Sequence, residues 1–145
     1  MPNVVFHNRL HIPAYISKIV PIGRMKILVV DDNNDINEMF SKFFKSKGHD
    51  CITTNNGKEG LVLCQNQKFD AIILDLAMPD FTGKDFLDIL VKTGKVEEQK
   101  IIVLTAMPLG DVAIKDGFHG ICEVLKKPCS LDLLLKTITS INAVA

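Results

Sequence analysis

Short apolar runs recur along the chain from residue 26 onward and alternate with segments of helical periodicity. Their length and their content of Val, Ile and Leu favour buried β-strands. The second run is less apolar than the others, which favours a position near the edge of a sheet. The predicted strands cover residues 26–30, 49–54, 70–74, 100–104 and 121–125.

The segments between these runs carry apolar residues at the spacing of an amphipathic helix. Gly48 and Gly94 stand where C-cap glycines end two of the helices, and Ser130 is placed to cap the last one. The fourth predicted helix is weak because Pro108 and two glycines disturb it. The predicted helices cover residues 35–47, 57–66, 83–92, 109–117 and the segment that follows Ser130.

Five strands that alternate with five helices predict an α/β fold, a five-stranded doubly wound parallel sheet with helices on both faces. The predicted domain spans residues 25–145. Residues 1–24 depart from the pattern, because Pro13 and Pro21 interrupt them and their apolar residues follow no sustained period. Two interpretations stay open: an N-terminal extension that is disordered or a mis-assigned start, with Met25 as the true start, or a short ordered arm that packs on the domain or on a neighbour.

Composition narrows the class of protein only modestly. The 145 residues suffice for one domain, and the formal net charge of zero gives no reason to expect direct binding of nucleic acid. The four cysteines form no C-x-x-C pair, which predicts a reducing, cytoplasmic compartment. No stretch approaches the roughly 20 apolar residues of a membrane span.

Polar residues follow the most apolar strands at the point where each strand ends. They are Asp31-Asp32 after the first, Asp75 after the third, Thr105 after the fourth and Lys126-Lys127 after the fifth. In a doubly wound sheet these carboxyl ends converge on one crevice. The fold therefore gathers three carboxylates, a hydroxyl and an ammonium group in one place.

Three carboxylates repel one another unless a cation joins them, and Mg²⁺ prefers oxygen ligands from carboxylates, water and phosphate. Asp32 and Asp75 are candidate direct ligands, Asp31 could bind through water, and the backbone carbonyl of Ala77 is in reach. Lys127 would supply a second positive charge. Such a set suits phosphoryl transfer, which depends on positioning and charge neutralisation.

The ordered set Asp31-Asp32, Asp75, Thr105 and Lys127-Pro128 resembles the receiver domain of two-component response regulators. The loop at residues 75–83, Asp-Leu-Ala-Met-Pro-Asp-Phe-Thr-Gly, is similar to the phosphoacceptor loop of that family. Thr105 and Lys127 follow Asp75 by 30 and 52 residues, spacings that agree with the family. The resemblance covers about residues 25–142 and implies a flavodoxin-like sheet topology.

The resemblance implies that Asp75 is the phosphoacceptor for a sensor histidine kinase or a histidine phosphotransfer protein. Asp31, Asp32, Asp75 and the carbonyl of Ala77 would organise Mg²⁺ or Mn²⁺. Such a domain is a switch that assists its own phosphorylation and dephosphorylation and is not otherwise an enzyme.

Lys127 would stabilise the added phosphoryl charge, and Thr105 would move towards it. The family's cis Lys-Pro peptide would fall at Lys127-Pro128. The resemblance is to stand-alone receivers, so we expect no attached output domain. The signal would then pass to a downstream protein partner on the face that the family uses, built by the fourth helix, fifth strand and last helix. A weak homodimer stays open.

One position departs from the family pattern, and three other classes of protein remain alternatives. Val124 stands where receivers commonly carry Tyr or Phe, which puts the usual aromatic relay in doubt. A flavodoxin-type electron carrier is disfavoured by the acids after the first strand, which would repel a flavin phosphate. A magnesium-dependent phosphatase would need an acid where Ala77 stands, and a receiver that only scaffolds would not take up phosphate.

Overall fold

The computed structural model describes residues 23–95, 99–106 and 121–143. The predicted helix at residues 109–117 and nearly all of the N-terminal extension lie outside these ranges. The strands are β1 Lys26–Val30, β2 Asp50–Thr54, β3 Ala71–Leu74, β4 Ile101–Thr105 and β5 Ile121–Lys126, and the helices are α1 Asn34–Ser46, α2 Gly57–Asn66, α3 Gly83–Lys92 and α4 Leu131–Ala143. The observed bounds differ from the predicted ones by at most one residue at either end.

The five strands form one parallel sheet in the order β2-β1-β3-β4-β5. This is the flavodoxin-like order, so the predicted fold class is confirmed. The less apolar strand β2 lies at the edge, as its sequence predicted. Because the chain reverses its direction of winding at β1 and β3, the crevice outside their carboxyl ends is the expected place for a site.

Alternation along the strands divides the apolar residues between two cores, one on each face of the sheet. Leu28 and Val30 point to the face covered by α2 and α3, while Ile27 and Val29 point to the face covered by α1 and α4. The helices return matching side chains, among them Leu61, Phe86, Leu87 and Leu90 on the first face and Phe40, Phe44, Leu134 and Ile138 on the second. Both cores hold β1 and β3 rigidly in the middle of the sheet.

No helix within the described ranges is long and apolar enough to cross a membrane. The cysteines are free thiols where the structure places them, and Cys51 and Cys64 lie in the two cores. Burial raises the pKa of each of these two thiols to about 11, so both stay protonated near neutral pH. Cys122 is exposed and Cys129 is partly buried, so only half of the cysteines are fully buried core residues.

The start of β1 is tied to the turn before β2 by a histidine. The N–H of Met25 donates to Nδ1 of His49 at 3.1 Å, and His49 is 9% exposed. An imidazole can accept at Nδ1 only while that nitrogen is unprotonated. Burial, and then the charge of Arg24, lower the pKa of His49 from 6.5, against an opposing effect of Asp50 and Asp70.

We expect the free energy of unfolding to fall as the pH drops below 6.5, because the unfolded chain binds a proton there more readily than folded His49. A His49→Leu variant should lose about 1 kcal/mol near pH 8, the value of one hydrogen bond, and show a shallower slope towards acid. Urea unfolding between about pH 5 and pH 8 measures both quantities. The other three histidines are common to both proteins and cancel in the difference. Equal slopes would contradict the role of His49.

Candidate functional site

The carboxyl ends of β1 and β3 bring three carboxylates together. These strands are direct neighbours, and the N–H of Asp75 donates to the carbonyl of Val30 at 3.0 Å. Oxygen atoms from Asp31, Asp32 and Asp75 lie within 4.8 Å of one another. Asp31 and Asp75 are buried, whereas Asp32 is exposed at the rim. The predicted acidic cluster is therefore one compact site open to solvent on the side of Asp32.

Lys127, the first residue after β5, reaches across β4 to two of these acids. Its Nζ lies 2.7 Å from Oδ2 of Asp31 and 3.3 Å from Oδ2 of Asp75. The preceding Lys126 is exposed. The peptide between Lys127 and Pro128 is cis, as predicted. The ammonium group of Lys127 thus supplies a positive charge between two buried carboxylates.

Each buried carboxylate also receives a backbone hydrogen bond. The N–H of Asn33 donates to Oδ1 of Asp31 at 2.9 Å, and the N–H of Ala77 donates to Oδ1 of Asp75 at 3.0 Å. Sequence reasoning gave Ala77 a role through its carbonyl, and its N–H is a further contact that the sequence did not reveal. These donors and Lys127 leave only part of the negative charge compensated.

The pKa values of the two paired groups reflect this incomplete compensation. Burial raises the pKa of Asp75 above 3.8, although the N–H of Ala77 and the charge of Lys127 act in the opposite direction. Burial also disfavours the ammonium form of Lys127. The hydrogen bond that Lys127 donates to Asp31, together with the negative charges of Asp31 and Asp75, outweighs burial and raises the pKa of Lys127 above 10.5. Lys127 therefore stays charged and is bound more closely by Asp31 than by Asp75.

The backbone at Asp75 packs closely against the start of α3. Thr82 caps this helix in a capping box with Asp85, and the next residue is Gly83. A Cβ atom at Gly83 would lie 2.4 Å from the carbonyl oxygen of Asp75 and 2.7 Å from Cα of Leu76. Only glycine permits this close approach, so the conformation of the phosphoacceptor-like loop depends on it.

Two further predicted site residues lie on β4 and β5. Thr105 ends β4 and is fully buried, and its carbonyl accepts from the N–H of Lys127 at 2.7 Å. Val124 in β5 pairs with Val103 and packs, partly buried, against the core on the α2 and α3 face. A smaller side chain than the family's aromatic thus occupies the position.

Sequence reasoning missed Asn37, a buried residue of α1. Its Nδ2 donates to the carbonyl of Asp31 at 2.7 Å and to the carbonyl of Thr54 at 3.3 Å. The sequence did carry a signal for a buried Asn37, because it stands at helical spacing from the core residues Phe40 and Phe44 and so shares their face of the helix.

The arrangement suits a hard dication bound by oxygen ligands. Three carboxylates converge, and two of them are buried. The ammonium of Lys127 neutralises part of their negative charge. Mg²⁺ binds through one or two carboxylates and keeps water or phosphate at its other positions, so the exposed side of Asp32 is a suitable opening.

The comparisons with known proteins agree with this geometry. The family model described as "Response regulator receiver domain" matches residues 27–139. Protein PilH of Pseudomonas aeruginosa is 26% identical over 118 residues, which are 81% of this chain and 98% of PilH. The cell cycle transcriptional regulator CtrA of Caulobacter vibrioides is 28% identical over 81% of this chain, which spans about half (50%) of the length of CtrA.

Solved structures give the same result. The receiver domain of the Francisella response regulator 1452 superposes with a TM-score of 0.73 at 29% identity, over 82% of this chain and 97% of that one. The Thermotoga maritima response regulator TrrA, solved in complex with Mg²⁺ and BeF, gives a TM-score of 0.68 at 28% identity, over 81% and 98% of the two chains. The chain belongs to the response regulator receiver domain family of two-component signalling.

Proposed function

We propose that this chain is a magnesium-dependent phosphoacceptor of a phosphorelay, in which Asp75 takes the phosphoryl group. The observation that carries the proposal is the cluster of Asp31, Asp32 and Asp75 around the ammonium of Lys127. Family membership supports a signalling switch rather than an enzyme that acts on an external substrate.

The chemistry assigned to Asp75 is an in-line displacement. One oxygen of its carboxylate attacks the phosphorus of a phosphohistidine, an O–P bond forms, and the P–N bond breaks. The electron pair of that bond returns to the imidazole, which takes up a proton. The N–H of Ala77 holds the other carboxylate oxygen at 3.0 Å and orients the attacking one.

Charge neutralisation makes this displacement feasible. Asp31, Asp32 and Asp75 would hold Mg²⁺, or Mn²⁺, with the carbonyl of Ala77 as a fourth protein ligand. The bound ion would neutralise charge on the transferring group. Lys127 would move its ammonium from the carboxylate of Asp75 to a phosphoryl oxygen, and Thr105 would donate its hydroxyl to another.

The proposed partners are a sensor histidine kinase or a histidine phosphotransfer protein upstream and a protein downstream. TrrA, solved with Mg²⁺ and BeF, supports the metal and the phosphoryl mimic as ligands of this fold. The names of PilH and CtrA describe those two proteins, and the target of this chain does not follow from them. Direct binding to nucleic acid is not part of the proposal, and a weak homodimer is compatible with it.

The test is phosphoryl uptake by the purified protein. Incubation with Mg²⁺ and acetyl phosphate should add the mass of one phosphoryl group, and a chelator should prevent the addition. Beryllofluoride with Mg²⁺ should raise the melting temperature, because a ligand that binds only the folded state stabilises it. A protein that binds Mg²⁺ but never gains the phosphoryl group would favour the scaffold alternative instead.

A further inference from the structure

Asn37 is a polar residue in a place that the pattern of α1 reserves for core side chains. The three buried residues of this helix are Asn37, Phe40 and Phe44, which share one face. Asn37 is 5% exposed. Burying an amide costs about 1–3 kcal/mol unless hydrogen bonds compensate. The residue lies inside the helix, beyond its N-cap at Asn33, so capping does not explain it.

The hydrogen bonds of Asn37 are directed at the backbone of the acidic site. Its Nδ2 donates to the carbonyls of Asp31 and Thr54 at 2.7 and 3.3 Å. Its Oδ1 is buried and has no hydrogen-bond partner among the described residues. The two donated hydrogen bonds therefore offset the cost of burying the amide, and both of them hold backbone carbonyls beside the acidic site.

Asp31 is consequently held at every polar group. Its N–H donates to the carbonyl of Thr54 at 3.1 Å, its carbonyl accepts from Asn37, and its carboxylate is bound by Lys127 and by the N–H of Asn33. These bonds fix the direction in which the chain leaves β1. Since Asp32 follows directly, the same bonds determine where the exposed carboxylate stands relative to Asp75.

We propose that Asn37 is a positioning residue that orients the Asp31-Asp32 backbone for the metal site. It touches neither the metal ligands' carboxylates nor the phosphoryl position and acts through the carbonyl of Asp31. This proposal rests on the proposed function, because its predicted consequence is a change in the affinity for Mg²⁺. In protein metal sites, substitution of residues that orient the ligands typically lowers metal affinity 10- to 100-fold.

The experiment compares Asn37→Leu with the wild type and with Phe44→Leu. Leu has nearly the shape of Asn and no donor, while Phe44 is fully buried on the same helix face and nearly three turns away from the loop. Calorimetric titration with Mg²⁺ alone should show at least about a tenfold weaker Kd for Asn37→Leu. Phe44→Leu should lower the melting temperature and leave the Kd within about twofold, because a core substitution far from the site does not couple energetically to metal binding.

A second measurement needs no metal. Hydrogen exchange of the amide of Asp31 should accelerate in Asn37→Leu, because the loop loses one of its anchors, while amides in β3 keep their protection. Should Asn37→Leu not fold, Asn37→Ser replaces it, since a serine hydroxyl is too short to reach both carbonyls. Wild-type Mg²⁺ affinity in a folded variant would overturn the role of Asn37 alone. A wild-type protein that binds no Mg²⁺ would overturn the proposed function and this proposal together.

Discussion

An Asp75→Asn variant is expected to take up no phosphoryl group and to be more stable than the wild type in the absence of metal. An amide cannot form the acyl phosphate, so uptake from acetyl phosphate should fall to background. The same change removes a buried carboxylate, and burial raises the pKa of that group in the folded protein. Since the folded state disfavours the charged form of Asp75, its neutral replacement should raise the melting temperature.

The stability gain follows from the geometry around Asp75. Its carboxylate lies within 4.8 Å of the oxygens of Asp31 and Asp32, and Lys127 contacts it at 3.3 Å but binds Asp31 more closely. Asparagine keeps an oxygen that can accept from the N–H of Ala77, so that hydrogen bond survives. What disappears is mainly the cost of burying a negative charge, with a smaller part from repulsion by Asp31, and functional sites commonly impose such a cost on the fold.

The matched control is Asp80→Asn in the same loop. Asp80 is exposed and has a φ of 64°, a left-handed conformation that asparagine adopts readily. This variant should take up the phosphoryl group like the wild type and melt at nearly the same temperature. Mass spectrometry and thermal melts without Mg²⁺ measure both effects. Undiminished uptake by Asp75→Asn would remove Asp75 from the proposal, and a lower melting temperature would contradict the electrostatic argument.

The strands and the members of the site were predictable because they depend on local order in the sequence. Residues such as Ile27 and Leu28 are apolar on both faces of β1, which is the pattern of a strand covered by helices on each side. Once the strands are known, parallel pairing alone brings Asp31 and Asp75 together, since Val30 and Leu74 are in register.

Features that depend on tertiary contacts were not predictable in the same way. Asn37 owes its position to the carbonyls of Asp31 and Thr54, which no periodicity in α1 encodes. His49 was assigned to the second strand, but the strand begins at Asp50 and the ring of His49 accepts a bond from Met25. In both cases a polar side chain forms a hydrogen bond with a backbone group outside its own element. Local patterns in the sequence do not reveal such a contact.

A Lys127→Met variant is expected to be strongly destabilised without metal and to recover much of that loss in Mg²⁺. The ammonium of Lys127 lies 2.7 Å from Asp31 and 3.3 Å from Asp75, whose side chains are only 4% and 7% exposed. Methionine keeps the length of the side chain and removes the charge. Breaking a buried ion pair on one side typically costs about 3 kcal/mol or more, because the remaining charge is left uncompensated.

Mg²⁺ should act differently on the variant and on the wild type, and this difference identifies the role of Lys127. In the wild type the ion must share Asp31 and Asp75 with an ammonium group already bound to them. In Lys127→Met that competitor is absent, so Mg²⁺ should bind more tightly and raise the melting temperature by more than in the wild type. Uptake of the phosphoryl group should nevertheless decrease, because the added charge loses its second cation.

Lys126→Met provides the matched control, since Lys126 is the adjacent lysine and is exposed. It should resemble the wild type in stability, Mg²⁺ affinity and phosphoryl uptake. Urea unfolding with and without saturating Mg²⁺ gives the two free energies for each protein, and their difference isolates the contribution of the ammonium. If Mg²⁺ stabilised Lys127→Met no more than it stabilises the wild type, Lys127 would not be the cation that balances Asp31 and Asp75 in the metal-free protein.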